Sequence, residues 1–170
     1  MRKRTLLSLM ALAPLVSACG FRLRGVPEFQ FTSIFLDAAP RSDVARELQR
    51  NLATAGDKLK VLRAPARPDQ AQVVWKLLGE RRERIIISKN AAGQVRELTL
   101  RYRMTFSLMG SDGVEWLPPT ELELERDLSY DENLALAKEQ EAEVLYKSMQ
   151  SDLVQQVMRR LSSAQPASAS

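Results

Sequence analysis

Histidine is absent from the 170 residues, and cysteine occurs once. Those two scarcities exclude much chemistry. Without histidine there is no Ser-His-Asp triad and no Cys-His pair. There is also no imidazole for a metal, and one cysteine cannot build a thiolate zinc site. A glycine-rich phosphate loop and a Gly-x-Ser-x-Gly elbow are both missing. Carboxylate chemistry and a Ser-Lys pair are the arrangements left open, so a non-enzymatic role is expected, with no metal and no dissociable cofactor. No segment has the ~20 consecutive apolar residues of a spanning helix. A real excess of positive charge is lacking too. The chain has 25 Lys+Arg against 21 Asp+Glu, but Arg2, Lys3 and Arg4 lie ahead of the first apolar stretch. Beyond residue 18 the balance is nearly neutral, which gives no warrant for a nucleic-acid partner.

What is present starts with that first stretch. Arg2-Lys3-Arg4 precede an apolar run from Leu6 to Val16, and Ser17-Ala18 lead into Cys19. A charged start, a short apolar segment and small residues before a cut make a secretory signal. A lone free thiol in an oxidising compartment would be unusual. A cysteine directly after the cut resembles a bacterial lipoprotein signal, with residues 1–18 removed and Cys19 carrying a diacylglycerol and an N-acyl chain. Two or more acyl chains anchor a protein stably, at about 0.8 kcal/mol per buried CH₂. Gly20 follows where such lipoproteins carry Asp for inner-membrane retention, so the resemblance implies an outer-membrane anchor with the body facing the periplasm.

The remainder reads as one domain over 19–161, long enough for a core without disulfides. Pro27 keeps 20–31 extended. Ile34-Phe35-Leu36 forms a short strand. Ser42 caps a helix whose Val44, Ala45, Leu48, Leu52 and Ala55 share one face, with Gly56 as the stop. Residues 59–62 form a second strand. Val73 to Ser88 reads as a long bent strand with a bulge at Gly79, and 89–93 as a hairpin turn in which Asn90 and Gly93 tolerate positive φ. Val95 to Met109 alternates cleanly: Leu98, Leu100, Tyr102, Met104, Phe106 and Leu108 on one face, Arg101 and Arg103 on the other. Pro118-Pro119 start a last strand, whose Glu121, Glu123 and Glu125 face those arginines. A long helix then runs from near Asp131 to about Leu161, with Ala142, Leu145, Tyr146, Met149, Leu153, Val157 and Leu161 as its stripe. Residues 162–170 are small and polar, and disorder is expected there. The fold class is α/β of the α+β type: a two-layer sandwich of a four- to five-stranded mixed sheet with two helices packed on one face. The strand order is not legible from the pattern.

Two segments carry a further resemblance. Cys19-Gly20-Phe21-Arg22-Leu23-Arg24-Gly25 opens the mature chain, and Asn133-Leu134-Ala135-Leu136-Ala137-Lys138-Glu139 stands near its end. With the Gly93-Gln94 hairpin and the long alternating strand between them, the chain resembles the LPS-assembly lipoprotein family, LptE (RlpB). The resemblance implies a two-layer lipoprotein that plugs the β-barrel LptD, assists its assembly and takes part in lipopolysaccharide transport. Lys138 matches the family's Ala-Leu-Ala-Lys lysine, associated with lipopolysaccharide binding. Lys89 is nearest to the basic residue at the family's hairpin tip. Lipid A phosphates call for ammonium or guanidinium partners, which makes Arg101 and Arg103 further candidates. Other readings are a lipoprotein adaptor or pilotin of another outer-membrane machine, and a carboxylate-dependent hydrolase. The exposed Glu121, Glu123, Glu125 row, with no apolar pocket to perturb it, argues against the hydrolase.

Overall fold

The computed structural model describes residues 28–167. The expected signal at 1–18, the lipidation candidate Cys19 and most of the 20–31 segment expected to be extended lie outside them. Five strands form one sheet in the order β2-β1-β3-β4-β5. β1 (Ser33–Asp37) runs parallel to both β2 (Lys60–Leu62) and β3 (Val73–Lys89). β3, β4 (Val95–Gly110) and β5 (Glu115–Ser129) form an antiparallel meander. The helices α1 (Asp43–Ala53) and α2 (Ala135–Ser163) share one core with the sheet.

Local chemistry fixes the elements as the sequence suggested. Ser42 Oγ accepts from the Ala45 N–H at 3.2 Å, satisfying one orphan donor at the start of α1. Gly56, just beyond α1, has φ +61°, a conformation that a side chain would strain. The alternating set Leu98 to Leu108 on β4 is buried, as are Ala142, Tyr146, Met149, Leu153, Val157 and Leu161 on α2.

Several boundaries differ from expectation. Lys89 is the last residue of β3, and the turn lies at 90–94. Asn90 does not take positive φ; only Gly93 in this turn does. Asn90 acts through its side chain, with Oδ1 accepting from the N–H of Ala92 at 3.0 Å and of Gln94 at 2.9 Å. β5 starts at Glu115, ahead of the prolines. Pro118 and Pro119 sit inside it because β5 is an edge strand with one open side and its pairing with β4 is interrupted at these two residues, so neither missing N–H breaks a regular ladder bond. The register slips by one residue there, from Leu108↔Leu117 to Phe106↔Thr120. Asp131 caps a 3₁₀ turn (Glu132–Leu134), and α2 follows it. α2 reaches Ser163, Ala164 is buried, and the Ala167 N–H donates to the Glu115 carbonyl at 2.8 Å. The described part of the terminal stretch therefore packs along the start of β5.

The bulge near Gly79 has the largest consequence. Leu77 pairs with Phe106 and Gly79 with Thr105, leaving Leu78 as the extra residue. An extra residue reverses which side chains face the helices. Before it, Trp75 faces the core; beyond it, Glu80, Arg82 and Arg84 do, opposite Met104, Tyr102 and Leu100. Half of β3 thus turns a charged row toward the helix layer.

Candidate functional site

The charged row is held by a polar network. The Arg82 guanidinium lies over the rings of Tyr102 and Tyr146, 4.9 and 5.3 Å from their centroids. It donates to Gln150 Oε1 at 3.2 Å, and Gln150 Nε2 donates to Glu47 Oε2 at 2.6 Å. Tyr102 donates its hydroxyl to Glu80; burial first, and that bond second, push the phenol's pKa well above its ordinary value. β3 is thereby tied to both helices by bonds that need several partners at once, which fixes their relative placement.

Arg84 donates to Glu139 Oε1 at 2.7 Å. This bond holds the Glu139 carboxyl below its ordinary value of 4.5, against a smaller opposing effect of desolvation. A depressed carboxyl pKa contributes stability that is complete above the ordinary value and is lost as pH falls through the folded value. Wild-type protein is therefore expected to lose more stability between roughly pH 5 and pH 3 than an Arg84→Gln variant. Parallel denaturant melts at both pH values measure this, and equal losses would mean the bond does not form in solution.

The opposite sheet face is a ladder of ion pairs. Arg101 Nε lies 2.6 Å from Glu125 and 3.6 Å from Glu123, and its Nη1 lies 3.8 Å from Glu83. Arg103 lies 2.6 Å from Glu123 and 3.5 Å from Glu121. Both guanidinium pKa values are raised, chiefly by hydrogen bonds to Glu125 and Glu123 respectively. These two candidate ligands are occupied within the sheet, and they lie on the face away from the helices.

Lys89 and Lys138 come to the same end of the molecule. Lys89 ends β3 beside the hairpin turn, and Lys138 is in the first turn of α2. Tyr130 donates its N–H to the Arg96 carbonyl at 2.8 Å, and Gln94 Nε2 to Glu132 at 3.3 Å. These bonds seat the hairpin beside the start of α2. Lys138 has a structural job: its Nζ donates to Ser129 Oγ at 3.2 Å and lies 2.9 Å from Glu141, leaving the side chain only 17% exposed. Its place early in a helix, unfavourable for a cation, is compensated by these partners. Lys89 is exposed, and among the described residues no carboxylate lies within 4 Å of it. Arg96 is a second exposed cation at this end, and the sequence reading passed over it. The signal was there: Arg96 flanks the turn on β4 as Lys89 does on β3. Cys19 lies outside the described residues.

Among the described residues no helix is long and apolar enough to cross a membrane. The fold is shared with solved bacterial lipoproteins. Lipoprotein B of Nitrosomonas europaea, solved by solution NMR, is 33% identical with a TM-score of 0.68, covering 84% of this chain and 90% of that one. The rare lipoprotein B of Shewanella oneidensis is 26% identical with a TM-score of 0.65, covering 78% and 95%. Sheet, helices and these relatives together define a class of small two-layer α+β lipoproteins. Within that class, the family model described as "LptE: Lipopolysaccharide-assembly" matches residues 31–161, and the chain belongs to that family. It is 30% identical over 169 residues to the LPS-assembly lipoprotein LptE of Yersinia enterocolitica, covering 95% of this chain and 77% of that protein.

Proposed function

We propose that this protein is a lipid-anchored, non-enzymatic outer-membrane lipoprotein that takes part in lipopolysaccharide assembly, as a plug and assembly aid for the LptD β-barrel. The observation that carries the reading is the family match over 31–161, which takes in the whole sheet, all of α1 and nearly all of α2. The body suits a barrel lumen, which is polar inside: one sheet face is a self-neutralised ladder of ion pairs, and the chain beyond residue 18 is nearly neutral. A mild-detergent pull-down from outer membranes should return one large β-barrel partner. Recovery of a different envelope machine would favour the adaptor reading and sink this one.

Lipopolysaccharide contact is assigned to the hairpin end, where Lys89 is free and Lys138 can exchange Glu141 for a phosphate. Lys89→Asp is expected to weaken binding to purified lipopolysaccharide about ten- to hundredfold, from a lost charge-assisted bond plus repulsion. The melting temperature should hardly move, because Lys89 is exposed. Lys138→Asp would weaken binding and also lower stability somewhat, since it places a carboxylate beside Glu141. Undiminished binding by a folded double variant would remove both lysines from the site.

A further inference from the structure

Seven large apolar side chains are exposed among the described residues: Leu78, Ile86, Ile87, Met109, Leu134, Leu136 and Val144. Single exposed apolar residues are ordinary, but a cluster of them marks a contact surface. Ile86, Ile87, Leu134 and Leu136 are each more than half exposed, and all four lie at the hairpin end. Two of them can be placed together from contacts already described. Arg84 pairs with Leu100 and Ile86 with Leu98, so both side chains face the helix layer. Arg84 bonds Glu139 at 2.7 Å. Ile86 is one step nearer the turn than Arg84, and Leu136 is one helical turn before Glu139 on the same helix face. The two steps go in the same direction, toward the hairpin tip. Leu136 is the most exposed of the set, at 76%. Ile87 is the extra residue of a second bulge, between Ile86↔Leu98 and Ser88↔Glu97, and Leu134 closes the 3₁₀ turn that leads into α2. The hairpin holds this 3₁₀ segment through the Gln94–Glu132 bond.

Cations border the cluster. Lys89 and Arg96 are exposed, with no carboxylate within 4 Å among the described residues. Apolar side chains beside free cations match a ligand with hydrocarbon next to anionic groups. We infer that Ile86, Leu134 and Leu136 seat acyl chains of lipopolysaccharide, while Lys89 and Arg96 meet its phosphates. This rests on the lipopolysaccharide-contact reading above and adds to it a hydrocarbon subsite with named residues. It also accounts for a cluster of aliphatic side chains left in water, which an all-electrostatic site would not require.

The test uses the body produced without its anchor, since residues 28–167 hold one core. Three probes are titrated: intact lipopolysaccharide, the same material chemically de-acylated so that it keeps its phosphates, and phosphatidylglycerol vesicles as a plain anionic membrane. Wild type should prefer the acylated form at least tenfold, the order expected from burying part of two aliphatic side chains. Ile86→Ser with Leu136→Ser should abolish that preference while leaving affinity for the de-acylated form unchanged. Lys89→Gln with Arg96→Gln should weaken both lipopolysaccharide probes. Melting temperatures of the variants should stay near wild type, because all four side chains are exposed. If the apolar double variant keeps the preference, the hydrocarbon seat is overturned and the phosphate contact stands. If wild type binds neither lipopolysaccharide probe, the contact reading falls and takes the seat with it. If the apolar double variant loses binding only to phosphatidylglycerol vesicles, the surface is a general membrane contact and the inference is overturned.

Discussion

Phe106→Asp is expected to leave no cooperatively folded protein. Phe106 is fully buried on β4, its ring 6.0 Å from that of Trp75 on β3. Truncating a buried phenylalanine costs about 3–5 kcal/mol. An unpaired carboxylate in the same place adds several kcal/mol unless it takes up a proton. Domains of this kind have about 5–15 kcal/mol in total, so the sum meets or exceeds the whole stability. Leu100→Asp, at an equally buried position opposite Arg84, should behave in the same way. Arg101→Asp is the informative contrast. It sits on the same strand but on the outer face, where it would join Glu83, Glu123 and Glu125. Water screens that crowding, so this variant should melt cooperatively at a lowered temperature. Circular dichroism melts of the three proteins decide the matter. A sharp transition for Phe106→Asp near that of wild type would mean β4 does not bury the face assigned to it.

That assignment was available from the sequence because β4 sits between two strands and has one dry face and one wet face. Under those conditions alternation is imposed residue by residue, and Leu98 to Leu108 recorded it. The stripe of α2 was legible for the same reason, and Ser42 announced α1 through its capping oxygen. The pattern fails where it is not tied to one continuous period. Leu78 inserts a residue into β3, and from there the core-facing positions carry Glu80, Arg82 and Arg84. Read along the chain these charges look solvent-facing. Only the partner strand reveals that they point to the helices, where Tyr102, Tyr146, Gln150 and Glu139 receive them. Strand order was illegible because β1 pairs with β2 across α1, and with β3 across α1, β2 and the loop after it, and neither pairing has a local signal. At the hairpin end, the resemblance pointed to Lys138 and, less directly, to Lys89. The structure gives Lys138 two local partners, while Lys89 and Arg96 have no carboxylate partner among the described residues. A lysine held by Ser129 and Glu141 looks, in a linear sequence, the same as one waiting for a ligand.

Cys19→Ser is expected to abolish fatty-acid labelling and recovery with the outer membrane while leaving the body folded. Among the described residues the buried core starts at Phe31 and closes without any segment near position 19, so the fold is expected to hold without lipid. On the proposed reading, attachment does depend on it. No helix among the described residues can span a bilayer, and a serine at position 19 offers no thiol for the diacylglycerol. At about 0.8 kcal/mol per buried CH₂, acyl chains on Cys19 would supply far more membrane affinity than a nearly neutral body could. Such an anchor would have a second effect, on partner binding. Tethering turns the encounter with any outer-membrane partner into a reaction at high effective concentration, which can strengthen association by orders of magnitude without a new contact. Co-purification of the barrel should therefore fall sharply for Cys19→Ser at normal expression, and recover when the variant is overproduced in the periplasm with a cleavable, lipid-free signal. Fatty-acid label retained on the variant would place the anchor elsewhere. Barrel recovery that stays low at high expression would mean the lipidated residue itself is part of the contact, and that the tether does more than concentrate the protein.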